Sequence, residues 1–222
     1  KPFNFSKQEI RMPLIINELS KTNYDIYLFQ EAFRNETKDE LINHFKNQRP
    51  YAATLGKAAG FFKFLDSGLL VISKYPFQIR ARENFKDCAH TDRFASKGFL
   101  LLEFEIDNIT KIQIAATHLQ AWYDADSVKT RKMQLRQIKH GLDRHFSNEI
   151  PQFIIGDLNL EFSSQEFSEA LTELNMKTDF LSTELNYTYG FPIKCYNKPG
   201  KDGAQWLDHC LVSEKSNSVH SV

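Results

Sequence analysis

Five polar side chains stand at or just beyond the ends of apolar runs. Glu31 closes the run 25–31, His118 follows 111–117, Asp157 and Asn159 follow Ile154-Ile155-Gly156, and Asp208 lies in Trp206-Leu207-Asp208-His209. Strand ends are places where side chains from distant segments converge on one rim. Taken singly, each has an ordinary reading: a strand-end Glu is usually solvated or caps a helix, and a lone His is usually hydrogen-bonded filler. Taken together, they offer hard oxygen ligands for Mg2+ and an imidazole for acid/base work or phosphate contact. That is the inventory of metal-assisted phosphoester hydrolysis.

The segments that must position these groups alternate between helix and strand. Ile10, Leu14, Ile15 and Leu19 recur at helical spacing and predict a helix over 8–19, where Pro13 fits only in a first turn or at a kink. Residues 25–31 and 67–73 read as buried strands, the second closed by a turn at Pro76, with a short helix over 37–47 between them. Two strand-like runs, 99–106 and 111–117, flank a turn at Asp107-Asn108. The longest helix expected covers 126–146, with Val128, Leu135, Ile138 and Leu142 on one side. Lys129, Arg131, Lys132, Arg136 and Lys139 are read as a basic face, either solvated or a binding surface. A strand over 152–156, a capping box from Ser163 to Glu166 ahead of another helix, and a last strand over 205–212 complete the pattern. No repeat or Pro/Gly/Ser linker interrupts it, so residues 1–222 read as one α/β domain.

The 222 residues carry 28 Lys plus Arg and 28 Asp plus Glu, a formal net charge of zero. No global field therefore draws the chain onto a polyanion, and no nucleic-acid partner is expected. The longest apolar stretch falls far short of the roughly 20 residues of a membrane-spanning helix. Cys88, Cys195 and Cys210 lack the paired spacing of a zinc site. They read as packing residues, with a single bridge left open. The start at Lys1, without Met or a basic-then-apolar leader, reads as a trimmed polypeptide and leaves the compartment open.

Gln30-Glu31, Ala116-Thr-His-Leu-Gln-Ala121, Gly156-Asp-Leu-Asn159 and Leu207-Asp208 occur in the order used by the endonuclease/exonuclease/phosphatase superfamily, which the chain resembles over almost its whole length. Thr117-His-Leu-Gln-Ala121 followed by Arg131, Gln134 and Ile138 is similar to the neutral and bacterial sphingomyelinases. So are Asp66-Ser-Gly68 with Ser73-Lys-Tyr-Pro76, and Asp92 through Ala95-Ser-Lys97-Gly98. The resemblance implies a DNase I-like four-layer sandwich, two packed mixed sheets flanked by helices. The implied activity is Mg2+-dependent hydrolysis of sphingomyelin to ceramide and phosphocholine, with Mn2+ or Co2+ as possible substitutes for Mg2+. Alternatives are a nuclease or phosphoinositide phosphatase of the same superfamily, or an inactive binder of lipid head groups.

By the same resemblance, Glu31 is a direct Mg2+ ligand, while Asp157 and Asn159 position the phosphate, the attacking water or a second ion. His118 donates to a phosphate or leaving-group oxygen, and Asp208 orients a general-base histidine. His209 occupies a position where the family usually has an aromatic residue and receives no such role. Asp92 and Lys97 match a pair that arranges substrate and loop. Their other reading is a surface ion pair worth at most about 1 kcal/mol. Trp122 and Tyr123, with Tyr187, Tyr189, Phe191 and Trp206, suit an aromatic rim for a choline head group or a lipid surface, or else the core. The expected partner is a phospholipid, with peripheral membrane contact and a secreted or membrane-peripheral location. Two family elements find no match in the residues: an Asn ligand on a strand before the first helix, and a Ser-Asp-His motif on a final strand, which His220 does not supply. The domain therefore reads as lacking the first and last strands of the family fold.

Overall fold

The computed structural model describes residues 8–58, 63–178, 188 and 205–214. In chain order these form α1 (Gln8–Ser20), β1 (Ile26–Phe29), α2 (Asn35–Phe45), β2 (Tyr51–Thr54), β3 (Leu70–Ser73), β4 (Phe77–Asn84), a 3-10 turn at His90–Phe94, β5 (Gly98–Glu105), β6 (Lys111–His118), α3 (Ala125–Arg144), β7 (Gln152–Asp157), α4 (Gln165–Leu174), β8 (Met176–Lys177) and β9 (Asp208–Ser213).

Continuous apolar runs become strands buried on both faces, because two sheets lie against each other and helices cover their outer sides. The smaller sheet has the order β1-β3-β2 and the larger β4-β5-β6-β7-β9-β8. Leu100, Leu102, Phe104 and Ile114 of the larger sheet meet Ala53 and Val71 of the smaller one in the middle layer of the core. Their alternates Phe99, Leu101, Ala115 and Ile154 face Leu135, Ile138 and Leu142 of α3 and Phe167, Ala170 and Leu174 of α4. On the other side Leu70 and Ile72 pack on Met12, Leu41 and Phe45 of α1 and α2. Strand alternation thus divides one chain among three apolar layers and gives the four-layer sandwich. Emptying a ring such as Phe99 from this core is expected to cost about 3–5 kcal/mol.

Several local expectations shift by a few residues, each for a visible reason. Pro13 lies inside α1, past its first turn. The second strand begins at Leu70, and the last runs Asp208–Ser213 rather than over 205–212. Asp124 caps α3 by accepting from the backbone N–H groups of Asp126 and Ser127. The α4 cap is Ser164, which accepts from Phe167 N at 3.1 Å, rather than Ser163, and Glu166 pairs with Arg131 instead of closing a capping box. The turn at Asp107 forms as expected, with Asp107 Oδ1 accepting from the backbone of Ile109 and Thr110.

Candidate functional site

Strand register builds the site. β6 and β7 run parallel with His118 opposite Asp157, and β7 and β9 run antiparallel with Asp157 opposite Asp208. Paired residues on neighbouring strands point to the same face, so His118, Asp157 and Asp208 form one row across three strands. Gly156 permits this approach: at φ +148°, a Cβ there would lie 2.0 Å from Thr117 O and 3.2 Å from the Gln30 side chain. Any larger residue would push β7 away from both β6 and the Gln30-Glu31 corner.

Glu31 reaches the row from the other sheet. It leaves β1 with φ +59°, a left-handed conformation that is uncommon for a residue with a Cβ. The corner rests on Gly68, at φ +76°, whose missing Cβ would sit 3.0 Å from Glu31 Cα, and Ala32 N donates to Gly68 O at 3.0 Å. Glu31 is exposed, and beside it opens a cleft of about 440 Å³ lined by Arg11, Met12, Ile15, Phe29 and Phe33.

Behind the row the polar groups are buried and paired. The Lys97 ammonium donates to Asp92 Oδ2 at 2.7 Å and Leu119 O at 2.7 Å, and lies 3.2 Å from His118 Nε2. Its side chain is 3% exposed, so the reading of Asp92 and Lys97 as a surface ion pair is wrong. Asn159, at φ +50°, donates through its amide to the same Leu119 carbonyl at 3.1 Å, while Asp157 Oδ1 accepts from Asn159 N at 2.9 Å. The other Asp157 oxygen lies 3.6 Å from His118 Nε2.

These contacts set the charge states. Burial, followed by the Lys97 cation, holds His118 well below the usual imidazole range, so the ring is neutral and its Nε2 accepts from Lys97. Its Nδ1 is buried without a hydrogen-bond partner among the described residues. Asp157 moves the other way: burial first, then the charges of Asp208 and Glu31, push it up to about 7 against the opposing effects of Asn159 N–H and Lys97. A carboxyl so crowded by other carboxylates sits where a cation would be favoured. Among the described residues no group of three or more His, Cys, Asp or Glu is arranged to hold a metal ion. Mg2+ commonly takes one or two carboxylates and keeps its waters, and the exposed Glu31 carboxylate is a hard oxygen donor of the kind it takes.

The remaining expected residues are also accounted for. Trp122 and Tyr123 are 59% and 50% exposed, and Tyr123 OH donates to Gln205 Oε1 at 2.8 Å. Trp206 is half-buried and stacks on Phe162, whereas Tyr187, Tyr189, Phe191, His220 and Cys195 lie outside the described residues. Cys88 and Cys210 are free thiols. His209 faces away from Asp208: its Nε2 donates to Leu160 O at 2.7 Å and its ring packs 4.5 Å from that of Phe167.

The basic face expected on α3 is largely dismantled. Arg131 is fully buried, Arg136 pairs with Glu173, and Lys139 pairs with Asp143, leaving Lys129 and Lys132 exposed. Arg131 was legible in hindsight, since it falls on the same 4-3-4 stripe as Leu135, Ile138 and Leu142. Gln120 and Gln134, both part of the motif that the sequence shares with the sphingomyelinases, tie the loop after His118 to the loop before Asp92 through their side chains.

Two facing sheets with a carboxylate, amide and imidazole rim define a layered α/β sandwich with its polar groups gathered at one end of the strands. The chain belongs to the Endonuclease/Exonuclease/phosphatase family, whose profile matches residues 9–222. It is 30% identical to a phospholipase C of Staphylococcus aureus across 80% of this chain and 59% of that relative. It is 28% identical to a sphingomyelinase C of Leptospira interrogans across 76% of this chain and 33% of the other. The chain thus spans between a third and three fifths of the length of these relatives. Its fold superposes on a crystal structure of a Staphylococcus aureus beta toxin mutant with bound magnesium ions. That match has a TM-score of 0.86 at 24% identity and covers 97% of this chain and 80% of the toxin.

Proposed function

We propose that this chain carries the catalytic rim of a Mg2+-dependent phosphodiesterase that hydrolyses sphingomyelin to ceramide and phosphocholine. The observation that supports this most directly is the row His118, Asp157 and Asp208, approached by Glu31 and backed by the buried Lys97. The relatives named sphingomyelinase C and phospholipase C, and the magnesium in the toxin structure, point to the same substrate class and ion.

Glu31 and Asp157 would hold the ion, which when bound polarises the phosphoryl oxygen and neutralises developing charge. Without an ion Asp157 is pushed up to about 7 by its burial and by the neighbouring carboxylates, and an ion held there would draw off its proton. Asn159 and Lys97 fix the Leu119 carbonyl and thereby the turn after His118. His118 Nε2 donates only when it carries a proton. Lys97 opposes that while it donates to the same atom, so His118 would act as donor only once its Nε2 has taken up a proton from the attacking water or from solvent. In this reading Asp208, exposed at the end of the row, orients a histidine base. Trp122 offers a π face to the quaternary ammonium of the head group. None of the described helices is long and apolar enough to cross a membrane, and we assign the protein a peripheral contact with its lipid.

The loss of the basic face favours this reading over a nuclease, because a polyanion must be met by several cations. In Mg2+ the protein should release phosphocholine from sphingomyelin in mixed micelles, stop on chelation, and leave duplex DNA largely intact. Nicked DNA with untouched sphingomyelin would overturn the substrate assignment. Lipid binding without turnover would identify a head-group-binding relative.

A further inference from the structure

We infer that Arg131, together with Glu166, is a positioning residue that holds Trp122 exposed on the loop leaving His118 for recognition of the substrate's cationic head group. This rests on the phosphodiesterase reading above and adds a residue with no contact to substrate.

Arg131 is fully buried, yet every side of its guanidinium is used. Nε and Nη2 donate to the two Glu166 oxygens at 2.8 Å each, and Nη1 donates to Gln120 O at 2.9 Å and to Trp122 O. A forked Arg–carboxylate pair is geometrically specific in a way that a Lys pair is not. Here the fork fixes the head of α4 to the loop leaving His118. The neighbouring Gln134 accepts from Gln120 N at 2.8 Å and donates to Asp87 O at 2.9 Å, while Gln120 Oε1 accepts from Ala89 N at 2.8 Å. His90 Nε2 lies 3.0 Å from Asp124 Oδ1, which ties the 3-10 turn to the cap of α3.

The backbone held by this brace is strained. Trp122 adopts φ +78°, a region rarely occupied by a residue with a bulky side chain, and its ring is 59% exposed. Such conformations persist where the surroundings over-determine them, and they cluster at ligand clamps. Without the bond from Arg131 to Trp122 O, the chain has no reason to keep an apolar ring in water through a strained turn. The brace is therefore linked to recognition rather than to the hydrolytic rim: it grips Gln120 and Trp122, whereas Lys97 and Asn159 donate to Leu119 O and Asp157 O accepts from Leu119 N.

The test uses Arg131→Met combined with Glu166→Leu, so that no buried charge is left unpaired. For sphingomyelin in mixed micelles the variant should raise KM about tenfold, the loss of an oriented cation–π contact, with kcat within about threefold. A parallel fall in kcat, or an unchanged KM, overturns the proposal. If the double variant does not fold, Glu166→Gln should raise KM by an intermediate factor, and an unchanged KM again overturns it. In a Trp206→Phe background the anisotropy of Trp122 fluorescence should fall in either variant with no substrate present. Unchanged anisotropy refutes the brace, whereas changed anisotropy in a protein that does not hydrolyse sphingomyelin upholds the brace and defeats the substrate reading.

Discussion

The two sheets bring different kinds of group to the same rim. From the larger sheet come His118, Asp157 and Asn159, each tied by hydrogen bonds or an ion contact to Lys97, Leu119 or a neighbour in the row. From the smaller sheet comes Glu31, exposed on a left-handed backbone, with no hydrogen bond or ion pair to its side chain among the described residues. One half is assembled by the protein itself; the other is held ready by backbone geometry alone. The difference teaches that burial with pairing fixes positions, while exposure keeps a carboxylate hydrated and available to an ion.

Breaking the assembled half should have the largest effect. Lys97→Met leaves Asp92 and the Leu119 carbonyl without their cation, and chemical denaturation should show a loss of about 3 kcal/mol, the scale of an uncompensated buried charge. A loss below about 1 kcal/mol would mean that the pair behaves as a solvated one. Glu31→Gln should do the reverse. Turnover should fall by roughly a hundredfold or more, as when a strong electrostatic contribution is removed, while the melting temperature stays within about 2 °C. Retention of more than about a tenth of the activity at modest Mg2+ rules out its role as ligand.

His209→Phe separates the face of the sheet that carries the row from the face that carries the core. Leu160 O loses its donor, so stability should drop by about 1–2 kcal/mol, with turnover within about twofold. A collapse of turnover in a folded variant would place the general base at His209. The smallest effect concerns protons. Asp157 is raised from 3.8 to about 7, so the folded metal-free protein binds a proton that the unfolded chain releases. Its contribution to stability is present below about pH 4 and is lost as pH rises toward 7. Buried, neutral His118 has the opposite sign and loses its contribution as the pH falls below 6.5, so the two oppose each other in the parent. The advantage of the parent over Asp157→Asn should therefore shrink between pH 4 and 7, and thermal melts that show a growing advantage contradict the shift.

Apolar periodicity made much of this fold legible, since β3, β5, β6 and β7 are runs that only a doubly covered sheet can bury. The row of site residues was legible too, because strand ends mark a rim whichever strands are neighbours. The edge strand β4 was not: Phe77-Gln-Ile-Arg-Ala-Arg-Glu-Asn84 keeps most of its side chains in partial or full contact with solvent and shows no clean alternation. The short β2 hides for a related reason, with two of its four residues exposed. Arg131 falls within a basic face that the sequence leaves either solvated or binding, because charge normally outweighs position in such a judgement, and only tertiary contacts reveal four acceptors waiting for it. The neutral state of His118 was equally hidden, for it depends on Lys97, whose distance from it is set by packing between loops.

The parallel pairing of β6 with β7 carries a consequence for how the protein becomes active during synthesis. His118 and Asp157 meet only after α3 has formed and crossed back over the sheet, a long-range closure that costs chain entropy before any contact rewards it. As the polypeptide emerges, β5 and β6 zip into a hairpin early, but the row stays open until β7, and then β9, arrive. The proposed phosphodiesterase activity should therefore be silent in nascent chains that already possess half the sheet, and it should return last when the unfolded protein is renatured.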